Sequence, residues 1–142
     1  MILGEISRTA DTAVTLDDLF TRVGVRHPDA LALADPPNRE DFTGGAPRTL
    51  SYAQADCAIS ALAEKLRGLG LQTDTVVAMQ LPNTVESIVA FLGVLRAGMI
   101  AVPVPLLWRQ QEIVASATDA SADAGNTTVP SVNEPDCAPE AA

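Results

Sequence analysis

The stretch from Thr75 to Val104, TVVAMQLPNTVESIVAFLGVLRAGMIAVPV, decides the fold. Its second half is apolar enough to raise the question of a membrane span. Arg96 lies inside that run, Gly98 stops a helix, and Pro103 and Pro105 bar one from continuing through them. The run therefore divides. Residues 75–81 predict a strand, apolar on both faces except at Gln80, and residues 84–97 predict a helix. Val85, Ile88, Val89, Leu92 and Leu95 line its buried stripe, widened by Phe91 and Val94. Residues 99–104 predict a second strand. Strand, helix, strand in that order predicts a parallel βαβ crossover, and strands that do not alternate predict both faces covered. Asn83 with Glu86 resembles a capping box at the start of the helix. Pro103 cannot donate to a ladder and belongs near a strand end or on an unpaired side.

Upstream, TLDDLFTRVGVR predicts a helix capped by Thr15, with Asp17 and Asp18 in its positive first turn. Leu16, Leu19, Phe20 and Val23 form its expected buried face, and His27-Pro28 ends it. ALALAD, 30–35, predicts a short strand, and residues 36–48 a Pro- and Gly-rich loop. TLSY predicts extended chain that pairs back on the first strand as a hairpin. Ser51 and Gln54 form a capping box for a helix whose Ala55, Ile59, Leu62, Ala63 and Leu66 face inward. Asp56, Glu64 and Arg67 are expected to face solvent, and Gly68 and Gly70 supply the stop. Residues 106–114 predict the start of a further crossover helix.

Charge is distributed unevenly. All nine Lys and Arg lie in residues 1–114 with thirteen of the eighteen acids, whereas residues 115–142 hold five acids and no base. That last segment also lacks Leu, Ile, Phe, Met, Tyr and Trp, which predicts a disordered acidic tail rich in Ala, Ser and Pro. The expected organisation is an irregular lead-in over 1–14, a partial domain over 15–114, and the tail over 115–142. No basic stripe suggests nucleic acid. Cys57 and Cys137 make neither a disulfide framework nor a metal site. Glu5 and Arg8 interrupt what a signal peptide requires, so a cytoplasmic protein is expected.

Chemical signatures are sparse. The sequence contains no GxGxxG, phosphate-binding GxxxxGK[ST], HExxH or GxSxG pattern. His27 reads as a turn residue, Ser51 as a cap, and Lys65 as a solvated helix position. Asp17 and Asp18 point apart as helix neighbours, and Glu40 and Asp41 sit in a polar loop. Leu81-Pro82-Asn83 falls at the carboxyl end of a parallel strand, where α/β folds bind ligands, yet a capped turn explains it as well. No catalytic, cofactor-binding or metal residue is assigned.

Three pieces in order, LSYAQ, VAMQLPN and LRAGMIAVPV, resemble the opening of the AMP-forming adenylating enzymes: acyl-CoA synthetases, with peptide-synthetase adenylation domains and luciferases as relatives. VPVPLLWRQQEI is similar to the acyl-CoA synthetase branch. The resemblance covers about residues 15–114. It implies an α/β fold, here the incomplete N-terminal part of the family's large domain. It also implies a two-step reaction in which a carboxylate and ATP, with Mg²⁺, give an acyl-adenylate that a thiol, usually of coenzyme A, then captures. The family's phosphate loop, adenine segment, ribose-binding Asp and C-terminal Lys match no position here, so no cofactor bound by this chain is expected. The resulting expectation is an N-terminal fragment of an AMP-dependent synthetase/ligase, inactive alone, with a frameshift or truncated gene as one origin of the compositional switch near Val114. The alternative is a non-catalytic binding or regulatory module, or one half of a split enzyme completed by a second polypeptide. Exposed apolar strand faces would leave such a fragment marginally stable.

Overall fold

A computed structural model describes residues 14–115. The elements are α1 (Leu16–Arg26), β1 (Leu31–Ala34), α2 (Glu40–Thr43), β2 (Thr49–Ser51), α3 (Tyr52–Gly68), β3 (Val76–Met79), α4 (Val85–Arg96) and β4 (Ile100–Pro103). The chain is helical again at 110–115, where a further helix is expected. Apart from the boundary residues Val14 and Ala115, the expected lead-in and tail lie outside the described residues.

Helix starts follow the local chemistry. At α1 the Asp18 N–H donates to the Thr15 hydroxyl at 3.1 Å, and the Thr15 N–H donates to Asp18 Oδ2 at 2.9 Å. At α3 the Gln54 N–H donates to Ser51 Oγ at 3.3 Å and the Ser51 N–H to Gln54 Oε1 at 2.9 Å. Both are reciprocal boxes, each satisfying two donors that a helix end leaves free.

β1 and β2 pair antiparallel, Leu33 opposite Leu50 and Ala34 opposite Thr49, with an irregularity between Leu31 and Leu33. β3 and β4 pair parallel from Val76↔Ile100 to Met79↔Pro103, bridged by α4. This is the expected crossover, and Pro103 occupies the last position of its strand. Gly98 turns the chain from α4 into β4 with φ of 79°, a left-handed conformation that glycine adopts without steric cost.

The core has two parts. Leu62, Ala63 and Leu66 of α3 meet Ala90 and Val94 of α4 over Val77 and Met99. Ala55, Ala58 and Ile59 meet Val85, Val89 and Leu92, with Phe20, Leu33, Leu50 and Phe91 packed around them. The α3–α4 approach is close because residue 93 is glycine. A Cβ placed there would lie 2.8 Å from Leu62 Cδ2.

Several expectations need correction. The loop between the hairpin strands contains α2, one short helical turn closed by Gly44 at φ of 71°. No residue of α1 is buried; Leu16, Leu19 and Val23 are exposed and only Phe20 reaches the core. Ile88 points to solvent from α4. Coverage of the strands is unequal. Val76 and Val77 of β3 are buried, whereas Ile100 of β4 is 41% exposed and Pro103 is exposed. Among the described residues each of these two strands has only one ladder partner, so the crossover sheet is two strands wide.

Candidate functional site

The described residues bring together two polar clusters, and periodicity reveals neither. The first begins with Asp35, just past β1. Its side chain is fully buried. Oδ1 accepts the Val85 N–H at 2.7 Å, and Oδ2 accepts the Arg48 N–H at 2.9 Å and an N–H of the Arg39 guanidinium. Arg39 then forks onto Glu86, Nη1 to Oε2 at 3.1 Å and Nη2 to Oε1 at 2.7 Å, while its Nε donates to Thr43 Oγ1 at 3.2 Å. Arg48 also pairs with Glu86. Two arginines thus face two carboxylates across the joint between the hairpin loop and α4.

This cluster replaces the cap expected from Asn83 and Glu86. The N-cap of α4 is Thr84, whose side chain makes no capping bond. The free N–H of Val85 is satisfied instead by Asp35, fifty positions upstream, and Glu86 turns to the arginines. A carboxylate at a helix N-terminus is favoured by the partial positive charge there. Burial by itself would push the Asp35 carboxyl up. The hydrogen bonds from Val85, Arg39 and Arg48, together with the Arg39 charge, outweigh that and hold it below the usual carboxylate range. Asp35 is therefore an ionised anchor. Three donors hold it in place and its side chain is shut off from solvent, so it serves as an anchor for the backbone.

The second cluster surrounds Arg96 in the last turn of α4. Its Nε lies 3.1 and 3.0 Å from the two Asp17 oxygens, and Nη2 donates to Asp17 Oδ1 at 2.7 Å and Thr21 Oγ1 at 3.1 Å. Nη1 donates to Ser60 Oγ at 2.7 Å and the Asp56 carbonyl at 3.2 Å, and the Asp56 carboxylate lies 2.8 Å from Nη2. The Asp17 hydrogen bond, against the cost of burial and with help from Asp56, raises the Arg96 pKa above its ordinary value. Asp56, expected to face solvent, is instead half-buried in this pair.

A third polar contact organises the chain after β4. Gln80, just past β3, donates from Nε2 to the carbonyls of Pro105 at 2.9 Å and Trp108 at 2.9 Å.

The residues singled out from sequence stay apart. His27 is the C-cap of α1 and Ser51 caps α3. Lys65, Asn83, Glu40 and Asp41 are exposed. Asp17 and Asp18 diverge as expected, one to Arg96 and the other to Thr15. Among the described residues no group of three His, Cys, Asp or Glu could hold a metal ion, and no helix is long and apolar enough to cross a membrane.

A hairpin and a βαβ crossover packed with the helices, with polar clusters that tie the elements together, make a mixed α/β unit. A sequence profile for AMP-binding enzymes matches residues 20–140, an interval that runs past residue 114 into the acidic segment. The chain belongs to the AMP-binding enzyme family. The 4-hydroxyphenylalkanoate adenylyltransferase of Mycobacterium marinum is 34% identical over 92% of this chain and 21% of its own length. A salicyl-AMP ligase / salicyl-S-ArCP synthetase of Mycobacterium tuberculosis is 40% identical over 62% of this chain and 15% of its own. The N-terminal subdomain of Klebsiella oxytoca NpsA superposes with a TM-score of 0.62 at 23% identity, covering 82% of this chain and 27% of that one. The chain thus spans about a fifth or less of the length of these two curated relatives and 27% of the NpsA N-terminal subdomain.

Proposed function

We propose that this chain is the N-terminal scaffold of an enzyme that joins a carboxylate to a thiol through an acyl-adenylate, and that it is inactive until the rest of the domain is supplied. The carrying observation is the family match combined with coverage of only 21% of the adenylyltransferase it resembles. Family membership implies ATP-dependent chemistry. We assign Mg²⁺, and coenzyme A or another thiol acceptor, to the complete enzyme, because the family's phosphate loop, adenine segment and catalytic Lys match no position of this sequence. The described residues support a scaffold role: Asp35, Glu86 and Arg96 are each held by several internal partners.

The remainder of the domain, whether on the same polypeptide or a complementary one, covers apolar surface left open here, such as Ile100, Leu106 and Leu107. Burying each such side chain contributes about 1.5–3 kcal/mol. The working compartment is the cytoplasm, and no nucleic acid takes part; the acidic balance and the absence of a basic stripe support this. The test is carboxylate-dependent ATP–pyrophosphate exchange. The purified chain gives none, and co-expression with a polypeptide holding the remaining family segments restores it. Exchange by the chain alone overturns the reading.

A further inference from the structure

We propose that α1 is a strap, latched by the Arg96 guanidinium, that swings away from the α3–α4 body while the body stays folded. The grounds are geometric. α1 contributes no buried residue, and Leu16, Leu19, Val23 and Val25 are all at least 40% exposed. Its apolar hold rests on one side chain, Phe20, which packs on the α3–α4 core and against Tyr52, and on the close approach of Tyr52 to Gly24, where a Cβ would lie 3.6 Å from the tyrosine Cβ. Side-chain hydrogen bonds from α1 to the body converge on one group: Asp17 and Thr21 both bind Arg96.

The two halves of the latch separate at unequal cost. When α1 lifts, Arg96 keeps Ser60 and the Asp56 carbonyl and carboxylate, so no bare charge is stranded on the body. Asp17 returns to water in the first turn of a helix, where a negative charge is favoured. The Thr15–Asp18 box is internal to α1 and travels with it. The hinge is equally well marked. The Ala53 N–H donates to the Pro28 carbonyl at 2.9 Å and the Tyr52 N–H to the Ala30 carbonyl at 3.0 Å, pinning the chain to α3 immediately after the C-cap His27. Motion of α1 therefore pivots at His27 and leaves the hairpin in register.

Amide hydrogen exchange of the full chain, read by mass spectrometry on peptides covering 16–26, 52–68 and 85–96, tests this. In the unsubstituted chain α1 exchanges faster than α3 and α4. Asp17→Asn accelerates α1 by about tenfold and leaves α3 and α4 unchanged. Arg96→Gln accelerates α1 as well, and adding Asp17→Asn to it brings no further acceleration, since both remove the same contact. Three results overturn the proposal: α1 exchanging together with α3 and α4, Asp17→Asn leaving α1 unaffected, or additive effects of the two substitutions.

Discussion

α4 is gripped on its flank and at its head by opposite means. Along the flank, Leu62, Leu66 and Ile59 of α3 pack on Val89, Leu92, Val94 and the bare backbone at Gly93. At the head, Asp35, Arg39, Arg48 and Glu86 form a closed set of charges around the Val85 N–H. The seam draws its strength from area removed from water and tolerates changes of pH. The joint draws its strength from the mutual pairing of its charges, and such a set fails badly when one member is removed. One helix thus has an acid-insensitive side and an acid-sensitive end.

The sharpest way to break the joint is Asp35→Ala. It strands the Val85 N–H, the Arg48 N–H and the Arg39 charge together, and we expect about 3–5 kcal/mol of lost stability. The denaturation midpoint in urea measures it. Next in size is the effect of acid on the unsubstituted chain. The folded Asp35 carboxyl ionises below its ordinary value, so its contribution is present at neutral pH, begins to fall below about pH 4, and is lost as pH drops through the folded value. A urea midpoint followed from pH 7 to pH 3 should fall at the acid end, and less steeply in the Asp35→Ala chain.

Gly93→Ala tests the seam instead. The added methyl meets Leu62, and overpacking of this kind costs about 1–3 kcal/mol. Its effect on the midpoint should be the same at pH 7 and pH 5. A loss that grew toward pH 5 would erase the distinction between flank and head. Smallest is Ser51→Ala, which removes the cap of α3 and costs about 1 kcal/mol. Because this cap touches neither Gly93 nor Asp35, the asymmetry between flank and head should survive it.

Legibility in the sequence follows the same division. The crossover, the hairpin, the Thr15 cap and the Ser51–Gln54 box rest on spacings of two to four residues, and such patterns are visible in a linear string, although the box read at Asn83 and Glu86 does not form. The seam was legible for the same reason: Leu62, Leu66 and Leu92 recur at helical intervals. The stripe on α1 misled, because periodicity marks an apolar face without saying whether anything covers it; Leu16 and Val23 are exposed. The polar clusters were not legible. Asp35 and Val85 lie fifty residues apart, Asp17 and Arg96 seventy-nine, and no local rule connects them. One faint signal was present: Arg96 within an otherwise apolar run needs partners if it is to pack, and their identity waits on the fold.

The wide separation of Asp35 from the helix it caps also has a temporal side. During synthesis the aspartate leaves the ribosome long before Val85, so the acceptor is waiting when the crossover helix emerges. Closing a loop of that length costs entropy that grows only slowly with size. The first turn of α4 should therefore settle late, after the hairpin, and refolding from denaturant should show that turn gaining protection after the middle of the helix.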